Sequence, residues 1–324
     1  MTTLAAPEVL TRSRRLVRPA LQEAVGRLHP WVSEMAAYSF GWCEVGGAPA
    51  VASGGKGVRQ ALAVLGAEAA GAPGRAGVPA AVAVELVHVF SLLHDDIMDG
   101  DPARRGRPTV WKAYGTGPAV LAGDALFALA VETLADAGSG AVRLLSAALS
   151  DLVQGQADDL LFATRPWRGP ERVRPEEYRA MADNKTGALL GCAAALGALL
   201  GGAPPATVAA LDRAGRHLGV AFQIVDDVLG IWGDPLVTGK PVHGDLRERK
   251  KTFPVLAALD SPTSAAARLA RLLESEGSLQ EMADLVEECG GRSAALTEAR
   301  RRMALAETAY ELRPLLDYLL RRDL

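Results

Sequence analysis

The stretch Val82–Asp99, VAVELVHVFSLLHDDIMD, decides how this chain folds. Its apolar residues recur at three- and four-residue steps, which predicts a helix over residues 77–99. A helix this apolar packs inside the protein, so its acidic end opens into a cavity rather than onto general surface. Asp95 and Asp99, four apart, project from one face, with Asp96 on its shoulder. Like charges at that spacing repel unless a divalent cation neutralises them. Magnesium suits the role, being held by one or two carboxylates together with waters and substrate phosphates.

The same design recurs downstream. Leu211, Ala214, Leu218, Phe222, Val225 and Leu229 form one buried stripe on a helix of about six turns, and Asp226-Asp227 closes it in FQIVDDVLGIWGD. Two apolar helices ending in paired carboxylates argue for a shared chemistry rather than two solvated helix ends. Helical periodicity extends over residues 9–38, 56–70, 118–137, 140–163, 175–201, 205–232, 251–259, 263–275, 278–289 and 292–320, and strand alternation is nearly absent. The fold class is therefore all-α. No fixed repeat and no flexible linker interrupts the pattern, so residues 1–324 are expected to form a single large helical domain.

Composition narrows the function. Of 324 residues, 49% are hydrophobic and 23% charged, a globular balance rather than a disordered one. A formal net charge of −3 gives no general attraction to nucleic acid or anionic lipid, so any anion site must be local. Cys43, Cys192 and Cys289 have neither disulfide-framework nor zinc-site spacing, which fits a reducing compartment. The N-terminal residues show no secretory pattern, and the uncharged run 186–211 is broken by glycine and proline pairs. The expectation is a cytoplasmic protein without a membrane span and without a nucleic-acid partner.

Local anion sites are easy to find. Arg104, Arg105 and Arg107 follow the first acidic cluster on a loop bracketed by Pro102 and Pro108, and arginine forks match phosphate oxygens. Lys56 and Arg59 stand three apart at a glycine-rich helix start, where the helix dipole also favours an anion. Lys185 in NKTGAL and Lys240 in TGKP complete the set. Neither SGGKG nor GDPLVTGKP satisfies a nucleotide P-loop, the first lacking the leading glycine and the second carrying Pro241 where Ser or Thr is required.

Taken together, GGKGVR, HVFSLLHDDIMDGDPARRGRPT, NKTGAL, FQIVDDVLGIWGDPLVTGKP and KKT resemble the motifs of the trans-isoprenyl diphosphate synthases, the polyprenyl synthetase family, in order and spacing. The resemblance implies an all-helical isoprenoid synthase fold around a deep central cavity, a homodimer, and three magnesium ions bridging the two acidic motifs to an allylic diphosphate. By matching position it implies that Asp95 and Asp99, with Asp96, serve the first metal motif and Asp226, with Asp227, the second. Arg104, Lys185, Thr186, Gln223 and Lys240 match the residues that hold the allylic diphosphate, and Lys56, Arg59, His88 and Arg105 those that hold isopentenyl diphosphate. His88 lies seven residues before Asp95, two helical turns, and so shares its face.

The implied chemistry follows from charge. Breaking an allylic carbon–oxygen bond leaves a carbocation and a diphosphate, which calls for concentrated positive charge around the leaving group and a dry apolar cavity around the cation. The chain departs from the family at Gly230, which stands where the second motif carries a third aspartate. In this family the residues four and five before the first aspartate help set product length. Here they are Ser91 and Phe90, and Phe90 lies roughly 7–8 Å along the helix from Asp95 at about 1.5 Å per residue, placed to floor the cavity. The expected product is geranylgeranyl diphosphate (C20), with farnesyl diphosphate (C15) second. The rival readings are a terpene cyclase on the same scaffold and a non-catalytic subunit of a prenyl synthase. Retention of Lys56, Arg59, His88 and Arg105 argues against the first, and the intact acidic motifs against the second.

Overall fold

Proline and glycine punctuate the helices where periodicity alone did not. The expected helix 9–38 is two, α1 (Ala6–Gly26) and α2 (Pro30–Ser39). Pro30 has no N–H to continue α1 but is well placed at a first helical turn, and the His29 imidazole caps the restart by accepting from Trp31 N. The computed structural model of the chain describes residues 6–50, 57–234 and 242–307. These divide into two compact units. One draws its described residues from Met1–Ala147 and Cys192–Asp212, the other from Ala148–Gly191 and Arg213–Tyr310.

The first unit contains α1, α2, α3 (Val58–Ala69), α4 (Val78–Met98), α5 (Val110–Tyr114) and α6 (Thr116–Ala135). α4 is its hub, packing on α6, α3 and α1. Ala80 to Val84, Leu86 and Val87 are all buried, so the first half of α4 is enclosed around its circumference as its sequence requires. The segments Gly74–Met98 and Thr116–Ala135 have the length and apolarity of a membrane span. The core accounts for the first, whereas α6 leaves Val120, Leu121 and Phe127 exposed.

The expected arginine loop is a minimal hairpin, β1 (Ala103–Arg104) paired with β2 (Arg107–Pro108). Its two-residue turn needs left-handed backbone at both central positions, and Arg105 (φ 53°) and Gly106 (φ 75°) provide it.

α7 (Ser139–Thr164), α9 (Ala188–Leu200) and α10 (Pro205–Trp232) contribute residues to both units. The second unit adds α8 (Pro175–Ala182), α11 (Gly244–Arg247), α12 (Phe253–Leu259), α13 (Ser264–Leu273), α14 (Leu279–Glu288) and α15 (Gly291–Ala306). Its core gathers Tyr178, Ile224, Ile231, Phe253, Leu269 and Met282. The expected continuous helix 175–201 is interrupted by a wider π turn at Asp183–Gly187, a feature that often marks functional sites. The terminal helix expected to residue 320 is described only to Ala306.

Candidate active site

In the first unit, α4 splits its aspartates between interior and exterior. Consecutive helical residues point about 100° apart, so Asp96 turns inward and is 4% exposed while Asp95 is half-buried and Asp99 lies exposed at the C-cap. Arg104 pairs with Asp96, its Nε and Nη2 reaching Oδ1 at 2.7 and 2.6 Å. Burial raises the Asp96 carboxyl above its ordinary range, with Arg104 opposing. The hairpin is pinned from below, since Thr109 Oγ1 and Trp111 Nε1 both donate to Asp101 O at 2.8 Å. Arg107 is spent on structure, donating to the Tyr38 and Cys43 carbonyls and to Glu44. Of the three arginines, Arg105 alone stands exposed, at the turn.

Two turns back, His88 lies within the electrostatic reach of Arg59, Arg105 and Arg104, as the resemblance implied. Burial, then these three positive charges, hold its imidazole well below the ordinary histidine range, so it is neutral at pH 7. Glu85, one turn further back, faces Arg59 and Gln60; burial raises its carboxyl, and those partners counter it. The sequence reading did not include Glu85, although it is the sole acid within the apolar run of α4. Lys56 lies outside the described residues. Phe90 meets His94 edge-on (4.9 Å) and Phe127 at a tilt (5.6 Å), so the proposed floor has aromatic bracing. The Ser91 hydroxyl is turned to the His88 carbonyl at 2.9 Å.

In the second unit the π turn carries Lys185 and Thr186. It lies directly on α7 at Gly155, where a Cβ would come within 2.7 Å of Lys185 Cα, so only glycine permits the approach. One turn on, Asp159 accepts from Lys185 Nζ at 2.6 Å. Arg216 secures the turn from the other side by pairing with Asp183 at 2.8 Å and with Asp151. Thr186 Oγ1 donates to Gln223 Oε1 (2.9 Å), and Gln223 Nε2 donates to Asp227 Oδ1 (3.2 Å). Asp227 Oδ2 accepts from the Tyr178 hydroxyl and from Phe253 N at 2.9 Å. Buried to 4% exposure, its carboxyl is pushed up to about 7, desolvation outweighing those donors. Asp226, its neighbour, is exposed.

The expected metal set of five aspartates thus divides. Asp95, Asp99 and Asp226 are partly or fully exposed, whereas Asp96 and Asp227 are buried against protein donors. Among the described residues, no three His, Cys, Asp or Glu side chains converge as a ready metal cage. The oxygen-only donors still suit a hard cation completed by diphosphate and water. Gln156, next to Gly155, is buried with neither amide atom hydrogen-bonded to a described residue, which marks a place for a polar ligand. At Gly230, a Cβ would overlap the Asp245 carboxylate, with Oδ1 at 2.9 Å and the other carboxylate atoms nearer still. Lys240 lies outside the described residues. Asp159, Asp183, Tyr178 and Asp245 were also missed. Their partners are 26 to 67 residues away, and no local spacing announces them.

An all-α protein with two Asp-Asp helices, one flanked by an arginine hairpin and the other by a lysine-bearing π turn, belongs to a class built to hold diphosphates. Residues 47–289 match the polyprenyl synthetase family model, and the chain is a member of that family. It is 45% identical over 313 residues to a (2E,6E)-farnesyl diphosphate synthase of Mycobacterium tuberculosis, covering 93% of this chain and 86% of the relative. It is 44% identical over 311 residues to a geranylgeranyl diphosphate synthase of the same organism, covering 93% and 87%. The crystal structure of a polyprenyl synthetase from Streptomyces coelicolor A3(2) superposes with a TM-score of 0.90 at 47% identity, covering 96% of this chain and 98% of that one.

Proposed function

We propose that this chain condenses isopentenyl diphosphate with an allylic diphosphate, giving a trans prenyl diphosphate of twenty carbons as the main product and fifteen as the second. The observation that carries the reading is the neutral His88 among Arg59, Arg104 and Arg105 on the helix that ends in Asp95 and Asp99. Condensation needs places for two diphosphates, whereas a cyclase on the same scaffold binds one. Relatives bearing both the C15 and C20 names support the short-chain range.

Asp95, Asp99 and Asp226 are the proposed magnesium ligands, because their carboxylates are the more exposed members of their pairs. Magnesium, when bound, neutralises the departing diphosphate and so favours cleavage of the allylic carbon–oxygen bond. Arg104, aimed by Asp96, and Lys185, aimed by Asp159, bring fixed positive charge to the same leaving group. The Thr186–Gln223–Asp227–Tyr178 chain holds the Gln223 amide in one orientation. Isopentenyl diphosphate is held by Arg59, Arg105 and Lys56, and neutral His88 hydrogen-bonds to it without adding charge. Its double bond attacks the allylic cation, and the released diphosphate takes the proton, so no side-chain base is required. We read the protein as a cytoplasmic homodimer, and the exposed Val120, Leu121 and Phe127 of α6 support a subunit contact.

The test is product analysis with magnesium, farnesyl diphosphate and isopentenyl diphosphate. A C20 product is expected. A cyclic hydrocarbon formed without isopentenyl diphosphate would mean a cyclase, and no turnover with any substrate a non-catalytic subunit. Phe90→Ala is expected to lengthen the product if that ring is the floor.

A further inference from the structure

Gly230 lies four residues, one turn, after Asp226 on α10, so its side chain would share the face of the exposed carboxylate. The backbone does not require glycine there, since Gly230 is absent from the positive-φ residues. The requirement is steric, for the Asp245 carboxylate fills the volume that a Cβ would take. Asp245 comes from α11, a different segment, yet it is fixed in place. The His243 N–H and Nδ1 reach the Ile231 carbonyl at the end of α10, at 3.2 and 2.7 Å, and Lys250 N donates to Asp245 O at 2.9 Å. Its side chain is 8% exposed, and its charge acts on both Asp227 and Tyr178.

We propose that Asp245 supplies, from outside α10, the third carboxylate that Gly230 removes from the second acidic motif, and that the glycine is the space it requires. The assignment rests on the magnesium-dependent prenyl transfer proposed above. Asp245 acts on the second-motif magnesium directly or through one of its waters, and the face of α10 therefore presents two carboxylates from two segments. A purely structural Asp245, tying α11 to α10, would affect stability without changing the demand for metal.

The experiment follows thermal unfolding of the intact chain with inorganic pyrophosphate while magnesium is titrated, alongside prenyl product formation. Asp245→Asn is expected to keep its helical circular dichroism and to raise the magnesium midpoint by about tenfold or more. Gly230→Asp alone is expected to lower both melting temperature and turnover through overlap with Asp245. The exchange Gly230→Asp with Asp245→Gly returns a carboxylate to α10 and is expected to recover turnover and the magnesium midpoint to within about threefold of the parent, since the carboxylate is again near the metal. A midpoint for Asp245→Asn within twofold of the parent, or an exchange no better than Gly230→Asp alone, overturns the assignment. If the parent forms prenyl product while Asp245→Asn keeps the parental midpoint, the reaction stands and Asp245 falls. A parent that shows the magnesium shift and no prenyl product overturns the reaction, and the midpoints then judge Asp245 alone. A parent with no magnesium-dependent shift overturns both.

Discussion

The two Asp-Asp pairs follow one geometric rule with different materials. Each sits near the end of an apolar helix, and in each the helical twist turns one carboxylate outward and buries the next. Asp96 is buried against a charge, the Arg104 guanidinium at 2.6 Å. Asp227 is buried against neutral donors only: a phenol, an amide side chain and a backbone N–H. The first pair therefore aims a cation, and the second aims the polar chain that runs through Gln223 to Thr186. Doubling the aspartate gives a helix end both an outward ligand and an inward support.

The largest expected effect separates outward from inward members. Asp95→Asn and Asp226→Asn should each lower kcat by about three orders of magnitude, the scale of several kcal/mol of lost charge stabilisation. Melting temperatures should stay within about 2 °C of the parent, as for surface substitutions. Steady-state kinetics beside calorimetry makes the check, and a variant that retains most of its activity would remove that aspartate from the metal set.

The inward members should differ from each other in stability. Asp227→Ala strands three buried donors at about 1–3 kcal/mol each, a fall on the order of 10 °C. Asp96→Ala leaves Arg104, whose side chain is 38% exposed and able to hydrate, so a fall of about 3 °C is expected. Equal falls would mean that the charged and neutral supports are equivalent. A smaller version of the same contrast is Tyr178→Phe, which removes one of the three donors to Asp227. It should cost about 1–2 kcal/mol and a few degrees.

The outward members were legible in the sequence because helix periodicity is local: Asp95 and Asp99 share a face by count alone. The helical class and the His88–Asp95 alignment were readable for the same reason. The inward roles were not. Nothing near Asp227 in the chain points to Tyr178, 49 residues before it, or to Phe253, 26 after. Gly230 read as a loss until Asp245, fifteen residues on, was seen to fill its space. The break at His29–Pro30 was locally encoded and was missed because apolar periodicity resumes in nearly the same phase. The π turn arises from packing on Gly155, a partner 30 residues before Lys185, which propensity cannot register.

A third buried carboxylate sharpens the contrast and carries the smallest expected effect. Burial pushes the Glu298 carboxyl up as it does Asp96, but hydrogen bonds from Arg301 and Arg302 and the charge of Arg179 outweigh it and take the pKa down to about 2. One arginine leaves Asp96 raised, while three leave Glu298 lowered, so the number of charged partners decides the sign. Because the folded pKa lies below the unfolded value, this stabilisation is present above about pH 4.5 and is lost as pH falls toward about 2. Glu298→Gln should therefore melt a few degrees below the parent near neutral pH, and that gap should narrow as pH drops from about 5 to about 3. Calorimetry of both chains across that window makes the comparison. A gap that stays constant would mean that Glu298 contributes through packing and neutral hydrogen bonds, as Asp227 does, rather than through its charge.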